Sequence, residues 1–338
     1  MNIRLINRKS LTERLHQTHM TYLIPDDHDG RTIRDYLKNE LKLSRSLITR
    51  LKYTTDGILL NGNSVTVRWQ LRGGDNLTLA LEDTSSSENI VPNRCELSII
   101  YEDECLLAVN KPRNMPVHPS LGHYDDTLAN YVMGYYTEQG RRFVFRAINR
   151  LDRDTTGVVI IAKDAMSAQK LVDQIKERAV EKSYLALIKG DLSAANIQEI
   201  NERLLTHNGK IVLCDDLTGY IDAPISREAE SIITRAIAAR GSESLTRFSI
   251  VSHTDDCTLL RVYPQTGRTH QIRVHFSGVG CPLVGDSLYG SADETQPLML
   301  HCERMSIRHP QSGESVTITA SPPADWNHLD ELATMRAT

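Results

Sequence analysis

The chain has no apolar stretch near the roughly 20 residues that a membrane-spanning helix needs. Its longest apolar runs, such as Gly157-Val158-Val159-Ile160-Ile161-Ala162, suit a buried strand instead. It also lacks an apolar leader, because Arg, Lys, Asn, Glu and His are mixed through the first twenty residues; a cytoplasmic protein is expected. No Cys-x-x-Cys pair occurs: Cys95, Cys105, Cys214, Cys257, Cys281 and Cys302 stand singly. That pattern predicts reduced structural thiols and no metal centre. Neither a phosphate-cradling Gly-x-x-x-x-Gly-Lys nor a dinucleotide Gly-x-Gly-x-x-Gly is present, so no cofactor, and no nucleotide in particular, is expected. Positive charge is not in excess either. A formal net charge of -4 argues against a protein that grips nucleic acid with its whole surface, so any RNA-binding charge must be local.

What is present suits two folded units. The 338 residues, 40% apolar and 24% charged, can build a real core and exceed one minimal module. Residues 1–19 form a polar tail without periodicity. From Gly30 on, Ile33, Tyr36, Leu37 and Leu41 recur at helical spacing, and Leu47, Ile48 and Leu51 repeat the pattern after Ser44. Ile58-Leu59-Leu60, a tight Asn61-Gly62 turn, and Val65 and Val67 then predict a hairpin. The segment 82–93, rich in Ser, Asp, Glu and Asn, reads as a linker. Beyond it strands and helices mix: Ser98 to Tyr101, Leu106 to Asn110, Gly157 to Ala162, a helix carrying Leu171, Val172 and Ile175, and Ser183 to Lys189. The stretch from about 191 to 247 has no clear periodicity.

Between residues 31 and 52, seven basic side chains (Arg31, Arg34, Lys38, Lys42, Arg45, Arg50, Lys52) face only Asp35 and Glu40. On charge alone this is either two solvated helix faces or a nucleic-acid footprint. Leu43-Ser44-Arg45-Ser46 followed by Gly57-Ile58-Leu59-Leu60-Asn61-Gly62 resembles the small RNA-binding fold first known from ribosomal protein S-four. That resemblance implies an RNA-binding module at the N-terminus.

Three segments carry chemistry. In Asn149-Arg150-Leu151-Asp152-Arg153, a carboxylate lies between two cations, and Thr155-Thr156-Gly157 turns the chain into an apolar strand. A nucleophile or base needs an ionised carboxylate, which a nearby cation favours. Alone, the motif reads first as a surface ion pair. In Gly267-Arg268-Thr269-His270-Gln271-Ile272-Arg273-Val274-His275, Thr269 is expected to cap a helix whose Ile272, Phe276 and Val279 share one face. His270 and Arg273 would lie together on another. The five-residue gap between His270 and His275 does not suit adjacent helical zinc ligands. Tyr184, in Lys182-Ser183-Tyr184, shares a strand face with Ala186 and Ile188 and reads as a half-buried tyrosine or as an aromatic on which a base could stack.

Taken together, Asn110-Lys111-Pro112, Val117-His118-Pro119, Arg150-Leu151-Asp152-Arg153-Asp154-Thr155-Thr156-Gly157, Lys182-Ser183-Tyr184, the Gly267 to His275 run and Gly285-Asp286-Ser287-Leu288-Tyr289-Gly290 resemble, in order and approximate spacing, the RluA-type RNA pseudouridine synthases. One departure is Asn149, where that family usually has histidine. The resemblance implies an α+β fold: a mixed, mainly antiparallel sheet in a catalytic domain over 94–325, a small α/β-hairpin RNA-binding module over 20–81, and a tail over 326–338. It implies isomerisation of uridine to pseudouridine in structured RNA, large-subunit ribosomal RNA above all, with no membrane partner. Asp152 would be the catalytic carboxylate, Arg273 its partner, and Tyr184 the aromatic against the extruded uracil, with a part in removing the carbon-5 proton. Arg150, Arg153, Arg268 and His270 would meet RNA near the site; Arg31, Arg34, Arg45, Arg50 and Lys52 would do so in the module. Two rival readings remain open: an RNA-binding protein without chemistry, and a glycoside hydrolase with Asp154 as second carboxylate.

Overall fold

A computed structural model of the chain describes residues 19–81, 87, 89–190, 192, 194–228, 231, 233–254, 256–291 and 295–326. Residues 1–18, most of the linker's first half and residues 327–338 lie outside that set.

The N-terminal unit runs β1 (His19–Leu23), α1 (Ile33–Asn39), α2 (Arg45–Tyr53), β2 (Ile58–Leu60), β3 (Asn63–Ser64) and β4 (Asn76–Ala80). Its four strands pair antiparallel in the order β1-β4-β2-β3. The helices start where hydroxyls take up free amides: Thr32 Oγ1 accepts from Asp35 N and Ser44 Oγ from Leu47 N, both at 3.2 Å. Asn61 and Gly62 both have positive φ, 52° and 83°, the backbone that a two-residue hairpin turn requires. Ile33, Leu37 and Leu51, picked out by helical spacing, fill the core together with Leu71, Leu77 and Leu79.

The second unit contains β5 (Ile99–Glu102), β6 (Leu106–Lys111), α3 (Leu128–Glu138), β7 (Thr156–Ala162), α4 (Ala165–Lys176), β8 (Glu181–Lys189) and α5 (Ala194–Leu205). It continues through β9 (Lys210–Leu213), β10 (Thr218–Asp222), β11 (Ile225–Arg227), β12 (Arg235–Ile237), β13 (Leu245–His253), β14 (Cys257–Pro264), α6 (Gln271–Gly278), β15 (Leu300–Arg308) and β16 (Ser315–Thr319). One sheet joins β5-β6-β7-β15-β8-β14-β13-β10-β9, with β16 beside β15 and β11 pairing β12 apart. Every pairing in the large sheet is antiparallel except β7 with β15, so the sheet is mixed and mainly antiparallel, and the fold is α+β. All seven residues of β7 are buried, which explains its unbroken apolar sequence: it is a central strand covered on both faces.

Register brings the chemistry-bearing segments together. Gly157 on β7 lies opposite Cys302 on β15, Cys302 opposite Tyr184 on β8, and Tyr184 opposite Val262 on β14, forming one row across the sheet. The loop bearing Asp152 enters β7 next to that row, and α6 follows β14 directly. A Cβ on Gly157 would come within 2.2 Å of the Cys302 carbonyl oxygen, at φ +112°, so a side chain there would force apart the parallel pair on which the row depends.

Three details depart from the sequence reading. The helix expected to be capped by Thr269 starts later: His270 precedes Gln271 in the left-handed conformation, φ 57°, without a side-chain cap. Instead Gln271 Oε1 accepts from Arg268 N at 3.0 Å and from Thr266 Oγ1 at 2.7 Å, tying the preceding turn to the helix's own first residue. Residues 89–93 are fastened to α3, where Asn130 Nδ2 donates to the Val91 carbonyl at 2.8 Å and Asn93 N to the Asn130 carbonyl at 3.0 Å. Trp326, assigned to the tail by sequence, is buried beside Leu187, Leu259, Val284 and Met299.

Candidate active site

The loop before β7 is held by polar side chains that replace missing strand neighbours. Buried Asn149 donates from Nδ2 to the Val158 carbonyl and accepts from Ile160 N, both at 2.9 Å, so its amide satisfies β7 as a backbone would. On the loop's far side the fully buried Lys111 donates from Nζ to the carbonyls of Pro112, Met115 and Arg153 at 2.8, 2.8 and 2.9 Å. Burial, opposed by the charges of Asp154 and Asp152, pulls the Lys111 ammonium down to about 7. Thr155 N closes the turn on the Asp152 carbonyl at 3.2 Å. The Asp152 backbone is thereby fixed from both sides.

The Asp152 carboxyl, 27% exposed, faces α6. Arg273 Nη1 lies 3.4 Å from Oδ2, and His270 Nε2 lies 3.8 Å from Oδ1. Arg273 is gripped far more tightly from behind: its Nε and Nη2 each donate to Asp286 at 2.8 Å. Asp286 is buried and also accepts from Leu288 N and Tyr289 N at 3.0 Å. Burial works against both charges. Hydrogen bonds and opposite charge more than offset it, so the Arg273 pKa rises and that of Asp286 falls below the ordinary carboxylate value. The Tyr289 ring lies against the guanidinium, 5.1 Å from ring centroid to Cζ. One face of Arg273 is thus committed to the protein, and one nitrogen is turned to Asp152.

Tyr184 is buried, and burial, then the neighbouring Cys302, then Asp152 raise its hydroxyl well above the ordinary tyrosine value. Its phenol stays protonated in the free protein. Of the other expected RNA contacts near the site, Arg150, Arg153 and Arg268 are exposed. Arg153 pairs with Asp154 at 3.0 and 3.1 Å, and Arg268 Nε donates to the Glu243 carbonyl at 3.1 Å. His270 sits within the Asp152 cluster. In the N-terminal unit Arg31, Arg34, Arg45 and Lys52 are exposed, Arg31 paired with Glu40 at 3.2 Å. Arg50 is half-buried and donates to the Leu81 carbonyl at 3.1 Å, which gives it a structural task.

Sequence reading assigned no role to Lys111, Asp286 or Tyr289, although all three stand in quoted motifs; their spacing alone gives no reason for it. His275 is closed off from ligands, with Nδ1 at 2.8 Å from Thr246 Oγ1 and Nε2 at 2.9 Å from the Ala223 carbonyl. Among the described residues, Asp103, Cys105 and His309 bring possible ligand atoms within 4.8 Å of one another. His309 Nδ1 accepts from Ser312 N at 3.1 Å, leaving the Nε2 proton for Asp103 at 2.8 Å. Burial pushes the Cys105 thiol up to about 12. These three groups close a hydrogen-bonded network and are poorly prepared as an ion cage.

The chain is similar to several known proteins. The family described as RNA pseudouridylate synthase matches residues 105–278. A Bacillus subtilis protein named "Uncharacterized RNA pseudouridine synthase YjbO" is 33% identical over 299 residues, covering 88% of this chain and 98% of its own length. "Ribosomal large subunit pseudouridine synthase D" of Xanthomonas campestris is 30% identical over 326 residues, 91% of this chain and 90% of its own. Among solved structures, "Human RNA Pseudouridylate Synthase Domain Containing 1" superposes with a TM-score of 0.53 at 26% identity, over 72% of this chain and 96% of that one.

Proposed function

The chain belongs to the RNA pseudouridylate synthase family, and from that premise we propose that it isomerises a uridine of large-subunit ribosomal RNA in the cytoplasm, with Asp152 as the reacting carboxylate. The observation that carries this reading is the chain from Asp286 through Arg273 to Asp152, a buried cation aimed at a partly exposed carboxylate. Support for the RNA class comes from relatives named as acting on the ribosomal large subunit.

The reaction breaks the bond between ribose carbon 1 and uracil nitrogen 1, turns the base, and joins carbon 5 to the same sugar carbon. Carbon 5 loses a proton and nitrogen 1 gains one, so atoms and electrons balance without a co-reactant. Bond cleavage develops positive character on the sugar, which one carboxylate can stabilise or attack. Asp152 takes that role. Asp154 is turned to Arg153, which leaves a two-carboxylate glycosidase reading without its second group. Tyr184 forms an apolar wall with a protonated phenol for the extruded base; stacking there is worth roughly 1–3 kcal/mol. The base must leave its helix to reach this wall, which favours uridines in loops and unpaired RNA.

We assign residues 20–81 to an S-four-type RNA-binding module and, with 89–93 fastened to α3 and Trp326 packed in, residues 89–326 to the catalytic domain. Exposed Arg31, Arg34, Arg45 and Lys52 support phosphate contacts by the module, and Arg150, Arg153 and Arg268 support them at the mouth of the site. The test is a chemical map of pseudouridines across cellular RNA with the gene intact, deleted, and restored as Asp152→Ala. Ribosomal positions that vanish on deletion and return only with the intact gene are expected. If no position changes, and the purified protein also leaves unmodified ribosomal RNA unaltered, the reading of an RNA-binding protein without chemistry replaces this one.

A further inference from the structure

His270 occupies backbone that residues with a side chain avoid, φ 57° and ψ 20°. The conformation carries its ring away from α6 and into the carboxylate cluster. There the hydrogen bonds leave little freedom. The Tyr289 hydroxyl oxygen accepts the backbone N–H of Arg235 at 2.9 Å, which leaves its own proton for His270 Nδ1 at 2.7 Å. With that proton on the Nδ1 side, Nδ1 is an acceptor, and in the neutral ring the single N–H belongs to Nε2. Nε2 is the atom that faces Asp152 Oδ1, at 3.8 Å.

We propose that His270 is a positioning residue that presents a neutral N–H donor to the second oxygen of Asp152, and that Tyr289 and the Arg235 amide fix the tautomer that makes it a donor. The inference rests on Asp152 being the reacting carboxylate. Arg273 holds one oxygen of Asp152 with a full charge, while His270 steadies the other without adding a second. A cation on one oxygen and an N–H donor toward the other orient the carboxylate for the positive charge that develops on the sugar.

The groups facing His270 come from every neighbouring element: Asp152 from the loop before β7, Arg273 from α6, Arg235 from β12, and Asp286 and Tyr289 from the segment after α6. Burial lowers the histidine pKa, Asp152 opposes that, Arg273 and Arg235 reinforce it, and Asp286 opposes it; the outcome is below the ordinary histidine value. The neutral ring is thus the form the site favours near pH 7.

Tyr289→Phe removes the proton that occupies Nδ1. The neutral ring can then carry its N–H on Nδ1 and turn a lone pair toward Asp152, and only protonation restores the Nε2 donor. At pH 8, kcat is expected to fall roughly tenfold with KM for RNA unchanged, the scale of one hydrogen bond formed as the 3.8 Å gap from Nε2 to Oδ1 closes on bound RNA. Most of the loss should be recovered at pH 6, where the wild type shows no matching gain. His270→Gln, which offers an amide donor that cannot titrate, should abolish that recovery when added to Tyr289→Phe. A Tyr289→Phe profile parallel to the wild type at all pH values would overturn the proposal. Should Tyr289→Phe fail to fold, nitrogen-15 spectra of histidine-labelled wild type, with the signal assigned by its loss in His270→Gln, decide directly. An Nε2–H tautomer supports the assignment and an Nδ1–H tautomer overturns it. Asp152→Asn is run in the same assay: undiminished activity there removes the catalytic reading beneath the proposal, whereas an inactive Asp152→Asn beside an unaltered Tyr289→Phe profile rejects the positioning role alone.

Discussion

The two units use charge in opposite ways. In the N-terminal unit the basic side chains of α1 and α2 lie mostly in water; Arg31 with Glu40 is a pair of half-exposed groups. In the catalytic unit Arg273, Asp286 and Lys111 are buried, and each has partners at or below 2.9 Å. A surface pair contributes roughly 0–1 kcal/mol and weakens with salt. A buried charge costs several kcal/mol to desolvate and persists only with complete pairing. Charge that recruits a polyanion can remain loose, whereas charge that aims one carboxylate has to be rigid.

The sharpest way to break the contrast is Asp286→Ala, which strands the Arg273 guanidinium in the interior. A loss of about 3–5 kcal/mol in urea unfolding is expected, together with a collapse of activity. A cost under about 1 kcal/mol would place Arg273 among ordinary surface charges. Asn149→Leu comes next: it leaves the Val158 carbonyl and the Ile160 amide without partners, for about 1–3 kcal/mol in the same measurement. Lys111→Met sharpens the comparison through pH. The lysine is held at about 7 when folded and titrates near 10.4 when unfolded. Between those values the unfolded chain binds the extra proton, so wild-type stability relative to the variant should rise as pH climbs from about 7. Unfolding midpoints at pH 6, 7.5 and 9 check this, and a difference independent of pH would contradict it. The smallest change is Arg31→Gln with Arg34→Gln. Stability and kcat should hold while RNA affinity falls, and the slope of log affinity against log salt should shrink by about one for each phosphate that is no longer neutralised.

This division also governs what could be read from the sequence. The Asn61-Gly62 turn, the helical spacing of Ile33 and Leu37, and the apolar run of β7 are local patterns, and these elements formed where their patterns lay, although α1 stops at Asn39, short of Leu41, and β3 at Ser64, short of Val65 and Val67. The loop of Asp152 and the nearness of His270 and Arg273 were likewise legible from short motifs. Asp286 was not, because its meaning arises only when the segment after α6 folds back beneath Arg273. Asn149 reads as a departure until β7 supplies the carbonyl and amide that its side chain matches. The Thr269 cap failed for a physical reason: Gln271 satisfies the Arg268 amide and the chain enters α6 through the left-handed His270. Strands β9 to β12 carry short, weakly alternating sequences, so their pairing needed partners that sequence does not display.

The central claim, that Asp152 performs the chemistry while its surroundings aim it, is tested most directly by tritium release. Ribosomal RNA transcribed with uridine tritiated at carbon 5 gives up that label to water only when the base is isomerised. Purified wild type should release it, and Asp152→Asn should bind the same RNA with unchanged affinity while releasing label at least about a thousandfold more slowly, the scale of losing a reacting group. Release by Asp152→Asn at a rate near the wild type would contradict the account.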